Sequence, residues 1–432
     1  MKLKKGAKVV IVVITILIVI GIVIYINLFG TFNRVTKSPI SKSGDRNENW
    51  KSDIEFVKTE LPKKHKNLFF SKSESDFNND MDSLISKIGE YTDEEIKAEL
   101  AKVIVTIDDS HTKVDISGSL IYPITFFQFE NDIYLSDASL DYKDYWGKKL
   151  VAINGYSIEE IRSKLELFVS KDNKSITKNQ FSSLVRFVEP LKFVGVVKGN
   201  DAVFTFEGES NNNVTVKPIQ TVDYENIKFL SEHPALGCKF PLTKQNGKDN
   251  YWLDYIENYD LLYVKYNSCM EMKDYSFSKF TKDVFEIIDS KNIKKLVIDL
   301  IDNGGGNSSI FNPFLSEIVK RENINKKENL YVIVGRKTFS SATLNAMELR
   351  NGTNATLIGE STGGKPNHFG EVKQIQLTNT DIDINYSSNF FKTSSEDTDS
   401  VYPDKDIVLK ADSFFNGEDD ILDYILNKKV GE

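Results

Sequence analysis

The 432 residues are enough for two or three domains and a large buried core. A net charge of −8, with no basic stripe beyond the N-terminus, excludes a nucleic-acid role on electrostatic grounds. Four histidines and two cysteines argue against a His-rich metal site and a disulfide framework; Cys238 and Cys269 read as two buried thiols, with one bridge between them as the alternative, and no cofactor or metal is expected.

Residues 1–8 carry four lysines, and residues 9–29 then run 21 positions without a charge. That length crosses about 30 Å of hydrocarbon. Tyr25, Asn27 and Phe29 stand where a cleavable signal would need small residues. The expectation is a cytoplasmic tail (1–8), an uncleaved transmembrane signal anchor (9–29) and everything after it outside the cell membrane. Residues 30–48 are polar, without apolar period, and read as a linker.

Residues 49–118 form an N-terminal helical region. Thr92-Asp93-Glu94-Glu95 is a capping box, and Ile96, Leu100, Val103 and Ile104 follow at helical spacing. That helix must end near Asp108-Asp109-Ser110-His111, which puts His111 at a helix exit. In residues 119–225 the period shortens. A strand at 147–153 runs into the Asn154-Gly155 turn, followed by a helix at 158–168. This segment is an ordinary hairpin or, since it resembles the PDZ arrangement, a PDZ-like region that captures peptides by adding a strand to a sheet edge.

Residues 226–432 alternate apolar strands with amphipathic helices. Strands are predicted at 261–266, 295–300, 330–334 and 355–359, with helices at 277–288 and 341–350, an α/β pattern with a mostly parallel sheet. Two connections in it look chemical. Asn303-Gly304-Gly305-Gly306-Asn307 strips side chains from a strand-to-helix turn, so backbone N–H groups can face an oxyanion. Thr338-Phe339-Ser340-Ser341-Ala342 puts a serine where a helix begins and free N–H groups favour negative charge. A helix-capping role is the plain alternative for Ser340 or Ser341.

The strings VIDLIDNGGGNS and TFSSATLNAMELRNGTNATLIGESTGGKPNHFGE together resemble the S41 peptidases, the family of tail-specific and C-terminal processing proteases and tricorn. The resemblance covers roughly residues 251–404. It implies a crotonase-like α/β protease core, Ser340 as nucleophile, and an oxyanion hole from the N–H of Ser341 and of a glycine, Gly305 foremost with Gly306 beside it. Leu300-Ile301-Asp302 departs from the Leu-Arg common in the family, so the glycine loop would be held differently here.

A serine needs a base, and the resemblance implies two candidates. Lys365, 365 − 340 = 25 residues after Ser340, occupies the position used by the processing proteases. Ser110-His111-Thr112 matches the D-x-S/G-H-T turn of the tricorn-like branch, and histidine accepts a proton near neutrality. His111 is the favoured base. The late acid of that branch falls on Asp399, with Glu396 and Asp397 nearby; His368 has no motif role. The expectation is a membrane-anchored serine endopeptidase acting on extracytoplasmic proteins or peptides. Its rivals are a catalytically silent S41-like binding protein, a scaffold working through residues 119–225, and a crotonase-like acyl-CoA enzyme.

Overall fold

The computed structural model describes residues 35–41, 44–170, 172–208, 212–233 and 237–427. The expected tail and anchor, residues 1–29, lie outside the described residues. Among those described, no helix is long and apolar enough to cross a membrane. The longest, Arg46–Lys64, has 19 residues but carries Glu48, Lys51, Asp53 and Lys58, charges that hydrocarbon does not tolerate unpaired. The expected single-pass localisation, with the membrane as partner, is therefore corrected: no described helix supports it.

The centre is a six-stranded sheet. In spatial order it comprises Tyr251–Ile256, Leu261–Tyr266, Lys295–Asp299, Leu330–Val334, Thr356–Gly359 and Lys405–Asp406, antiparallel in the first pair and parallel thereafter. The middle strands are buried throughout because both faces are covered. Alternate residues supply the two faces. Leu262, Val264 and Tyr266 pack under helices Phe277–Ser290, Asn312–Val319 and Ser341–Gly352. Leu261, Tyr263 and Tyr331 face Phe127, Phe129 and the C-terminal helices Ala411–Asn416 and Asp420–Asn427.

A smaller four-stranded sheet holds Leu150–Ile153, Tyr156–Ser157, Ala202–Phe206 and Asn213–Val216. Asn154 and Gly155 both have positive φ (49° and 83°), the backbone of a type I′ hairpin turn, which is why Asn-Gly stands there. Helix Ile158–Leu165 follows, with its own capping box.

The N-terminal helices Arg46–Lys64, Glu74–Ser86 and Asp93–Val105 pack against a long hairpin, Asn367–Leu377 with Ile382–Lys392. This hairpin had no counterpart in the sequence reading, although Ile375, Leu377, Ile382, Ile384 and Tyr386 alternate at a strand's period and all are buried. The described part of the expected linker is docked on it. Thr36–Lys37 pairs parallel with the hairpin, and Ser38 Oγ donates to buried Asp53.

Candidate active site

Parallel strands place the connections at their carboxyl ends side by side. The glycine loop after Lys295–Asp299, the Ser340 turn after Leu330–Val334 and the Gly363-Gly364-Lys365 loop after Thr356–Gly359 consequently meet at one edge of the sheet. The Ser340 turn is pinned on all sides. Thr338 Oγ1 donates to Leu300 O (2.7 Å), Phe339 N to Asn303 O (3.1 Å), and Gly364 N to Thr338 O (3.1 Å). Neither Gly363 nor Gly364 has room for a Cβ, which would meet Arg336 O at 2.4 Å and Thr343 Oγ1 at 2.2 Å respectively. These contacts hold Ser340 at φ 53°, ψ −126°, a backbone costing a non-glycine residue about 1–3 kcal/mol.

Ser340 occupies the N-cap position of Ser341–Gly352, yet its side chain makes no capping hydrogen bond; Ser341 Oγ instead donates to Gly306 O at 2.6 Å. The capping role is thus not what the Ser340 hydroxyl performs. Gly305, at φ 110°, lies directly against it. A Cβ there would stand 2.8 Å from Ser340 Cβ and 3.1 Å from Ser341 N. The expected donors divide. Gly305 N–H is committed to Asn303 Oδ1 (2.9 Å). Among the described residues, the N–H groups of Gly306 and Ser341 have no acceptor.

The glycine loop is fastened from below. Asn303 is fully buried, with Nδ2 on Tyr266 O (2.8 Å). The Cys269 backbone clips Gly305 O (3.0 Å) and Asn307 N (2.8 Å), and burial pushes the Cys269 thiol up to about 11, so it stays protonated. Just before the glycine loop, Asp302 pairs with Lys244 (2.8 Å), Lys265 (3.2 Å) and Lys337 (3.4 Å). Burial would raise the Asp302 carboxyl, but the three ammonium groups hold it well below the usual carboxylate range.

His111 comes from the other side of the molecule. Its turn leaves helix Asp93–Val105 and enters the short strand Lys113–Val114, which pairs with the long hairpin. The imidazole stacks on Phe339, the neighbour of Ser340 (centroids 4.4 Å, 23°), and on His368 (5.7 Å, 12°). Its Nε2 is buried and has no hydrogen-bond partner among the described residues. On the opposite edge, Nδ1 lies 3.7 Å from Asp109 Oδ1.

Asp109 organises this turn. It accepts from His111 N (3.0 Å), Thr112 Oγ1 (2.6 Å), Ser387 Oγ (2.6 Å) and His65 Nε2 (3.0 Å). His65 Nδ1 accepts from Asn67 N (3.1 Å), so the His65 proton sits on Nε2 and points at Asp109. Burial would raise the Asp109 carboxyl, yet His111, His65 and Ser387 hold it far below the usual range. His368 Nδ1 donates to Lys365 O (2.8 Å); burial and the neighbouring His111 push its imidazole down to about 4, so it is neutral at pH 7.

Of the residues singled out in the sequence, Ser340, Ser341, Gly305, Gly306 and His111 come together. Ser110 and Lys365 flank them, both on Asp172: Ser110 through N (3.1 Å) and Oγ, Lys365 through Nζ (3.4 Å). Asp399 is not brought to His111. It is exposed, and its carboxylate accepts from Tyr402 OH at 2.5 Å. Sequence reasoning missed Asp109, His65, Asp172 and His368 as a group. Only Asp109, two residues before the histidine as a turn-forming aspartate should be, carried a local signal.

No family model matches the chain, and no curated protein matches it. Among solved structures it is similar to mature CPAF complexed with lactacystin (TM-score 0.61, 13% identity, covering 88% of this chain and 97% of that one). A CPAF mutant aligns at TM-score 0.63 with 12% identity, covering 89% of this chain and 99% of that one. The photosystem II D1 C-terminal processing protease aligns at TM-score 0.42 with 12% identity, over 86% of this chain and 94% of that one. The chain has the mixed α/β fold of CPAF over almost all of its length.

Proposed function

We propose that the chain is a serine peptidase of the S41 type that hydrolyses peptide bonds in proteins or peptides through an acyl-enzyme on Ser340. We read the six-stranded sheet as a crotonase-type core (226–432), residues 119–225 as a PDZ-like region and 49–118 as a helical region completing the site. One observation carries the proposal. A strained serine that makes no capping bond at a helix N-terminus faces a glycine strap, while a buried imidazole, its Nε2 without a partner among the described residues, stacks on the adjacent Phe339. The fold shared with CPAF supports it.

In this mechanism Ser340 Oγ attacks the substrate carbonyl carbon and its proton passes to His111 Nε2. The tetrahedral oxyanion takes the N–H groups of Ser341 and Gly306. Collapse breaks the C–N bond, and His111 returns the proton to the leaving amine. Water, activated by the same imidazole, then hydrolyses the ester. Asp109 orients the ring and balances the imidazolium; Lys365, paired with Asp172, supplies charge balance and not the proton acceptor. The test is hydrolysis of fluorescently labelled casein by the full chain. Wild-type turnover in Ser340→Ala would sink the proposal.

One observation favours a silent binding protein instead: Gly305 N–H is turned to Asn303 and not offered to a substrate. Covalent labelling of Ser340 by a fluorophosphonate separates the readings, since a silent protein does not react.

A further inference from the structure

Asp172 is remote in sequence from every motif, and the proposed mechanism gives it no part beyond its pairing with Lys365. Its side chain is 13% exposed and both oxygens are used. Oδ2 accepts from Ser110 N (3.1 Å) and Ser110 Oγ, immediately before His111, and Oδ1 lies 3.4 Å from Lys365 Nζ. The next residue, Asn173, fastens the same segment to the same place. Its Nδ2 donates to Gly363 O (3.1 Å), Thr362 O (3.3 Å) and Asp399 O (2.7 Å), while its Oδ1 caps helix Lys174–Leu184 at Ile176 N (2.8 Å).

Two otherwise separate pieces of the site therefore meet at residues 172–173. One is the histidine turn, which depends on Ser110. The other is the Gly363-Gly364-Lys365 loop, wedged against the Ser340 turn with no space for a Cβ at either glycine. Lys365 O in turn holds the His368 ring that stacks on His111. The alternative acid, Asp399, is exposed and its carboxylate is engaged by Tyr402; its backbone carbonyl accepts from Asn173 Nδ2.

Resting on the peptidase reading, we propose that Asp172 is a positioning residue for that reaction. Its carboxylate locks the Ser110–His111 turn to the Lys365 loop and so sets the imidazole against Ser340. Burial holds the Asp172 carboxyl above its ordinary value, against the opposing pull of Lys365 and Ser110. Asp172 also stands on the wall of a cavity of about 630 Å³ beside Asn173, Lys174 and Asp399, so a ligand entering there would bear on the histidine turn.

The full chain is assayed on labelled casein as wild type, Ser340→Ala, Asp172→Asn, Asp172→Glu, Ser110→Ala and the Ser110→Ala/Asp172→Asn double variant, with fluorophosphonate labelling rates in parallel. Asp172→Asn is expected to lower kcat by about 10- to 100-fold, as a small misplacement of a catalytic group does, with KM within about twofold. The labelling rate should fall in step, Asp172→Glu should restore part of the loss, and the double variant should be no worse than the stronger single one. Wild-type kcat in Asp172→Asn beside an inactive Ser340→Ala overturns the Asp172 role alone, as does multiplication of the two single effects. Full turnover in Ser340→Ala overturns the peptidase reading and this role with it. Should Asp172→Asn fail to fold, Asp172→Glu and Ser110→Ala decide by the same kcat and labelling readouts.

Discussion

The two halves of the candidate site are built on opposite principles. The Ser340 half is local: the strap at 303–307, the turn at 335–341 and the loop at 360–365 leave neighbouring strands of one sheet and bond one another through the backbone. The His111 half is assembled from afar. The turn at 109–112 is held by His65, Asp172 and Ser387, and its imidazole is sandwiched between Phe339 and His368. A strained nucleophile needs a stiff frame, which adjacent parallel strands give. A base need only be brought to it, and side-chain hydrogen bonds suffice.

The largest effect tests whether the halves act as one unit. Ser340→Ala and His111→Ala should each lower kcat on labelled casein by about 10⁵-fold, with the double variant no worse than either, since interdependent groups are strongly non-additive. Additive losses would show that the imidazole serves something other than Ser340. Breaking the local half alone should come next. Gly305→Ala puts a Cβ 2.8 Å from Ser340 Cβ, and displacing the strap should lower kcat by about 10²- to 10³-fold. Retained activity would mean the strap does not serve the oxyanion.

Breaking the assembled half should show in stability as well as rate. Asp109→Asn removes the charge that His65, His111, Thr112 and Ser387 converge on. Chemical denaturation should read a loss of about 3 kcal/mol, with a markedly lower kcat; an unchanged midpoint would remove Asp109 from the centre of this network. Lys365→Met should lower kcat far less than His111→Ala. The reverse order would transfer the role of base to the lysine.

The remaining effect is confined to acid stability. His368 is neutral in the folded chain down to about pH 4, whereas in the unfolded chain it takes a proton near its ordinary value of 6.5. The unfolded state thus binds more protons between these values, and stability falls as pH drops from about 6.5 to about 4 by at most about 3 kcal/mol, then levels for this group. In His368→Gln that part of the pH slope should vanish; an unaltered slope would place the imidazole in solvent.

The local half was legible because its signals are local. Apolar runs at 261–266, 295–300 and 330–334 have to be strands buried on both faces, and a run of glycines after one of them has to be a turn without side chains. The assembled half was legible only at His111 and Ser110, through a resembling motif. The carboxylate that meets Ser110 lies 62 residues along the chain, and Asp399, placed by analogy with the family, faces Tyr402 instead. The long hairpin was readable from its alternation, but its part in the site was not, since Ser387 and His368 act through pairing with distant elements.

The amino-acid sequence by itself determined the strands, the helix starts, the glycine strap and the serine at a helix entrance, because hydrophobic period, capping and backbone freedom are properties of neighbouring residues. Tertiary structure alone decided which carboxylates attend the histidine, which glycine N–H remains free, and that the strap rests on Asp302 and three lysines. Those are matters of burial and distance between residues far apart in the chain, and neither exists until the chain has folded.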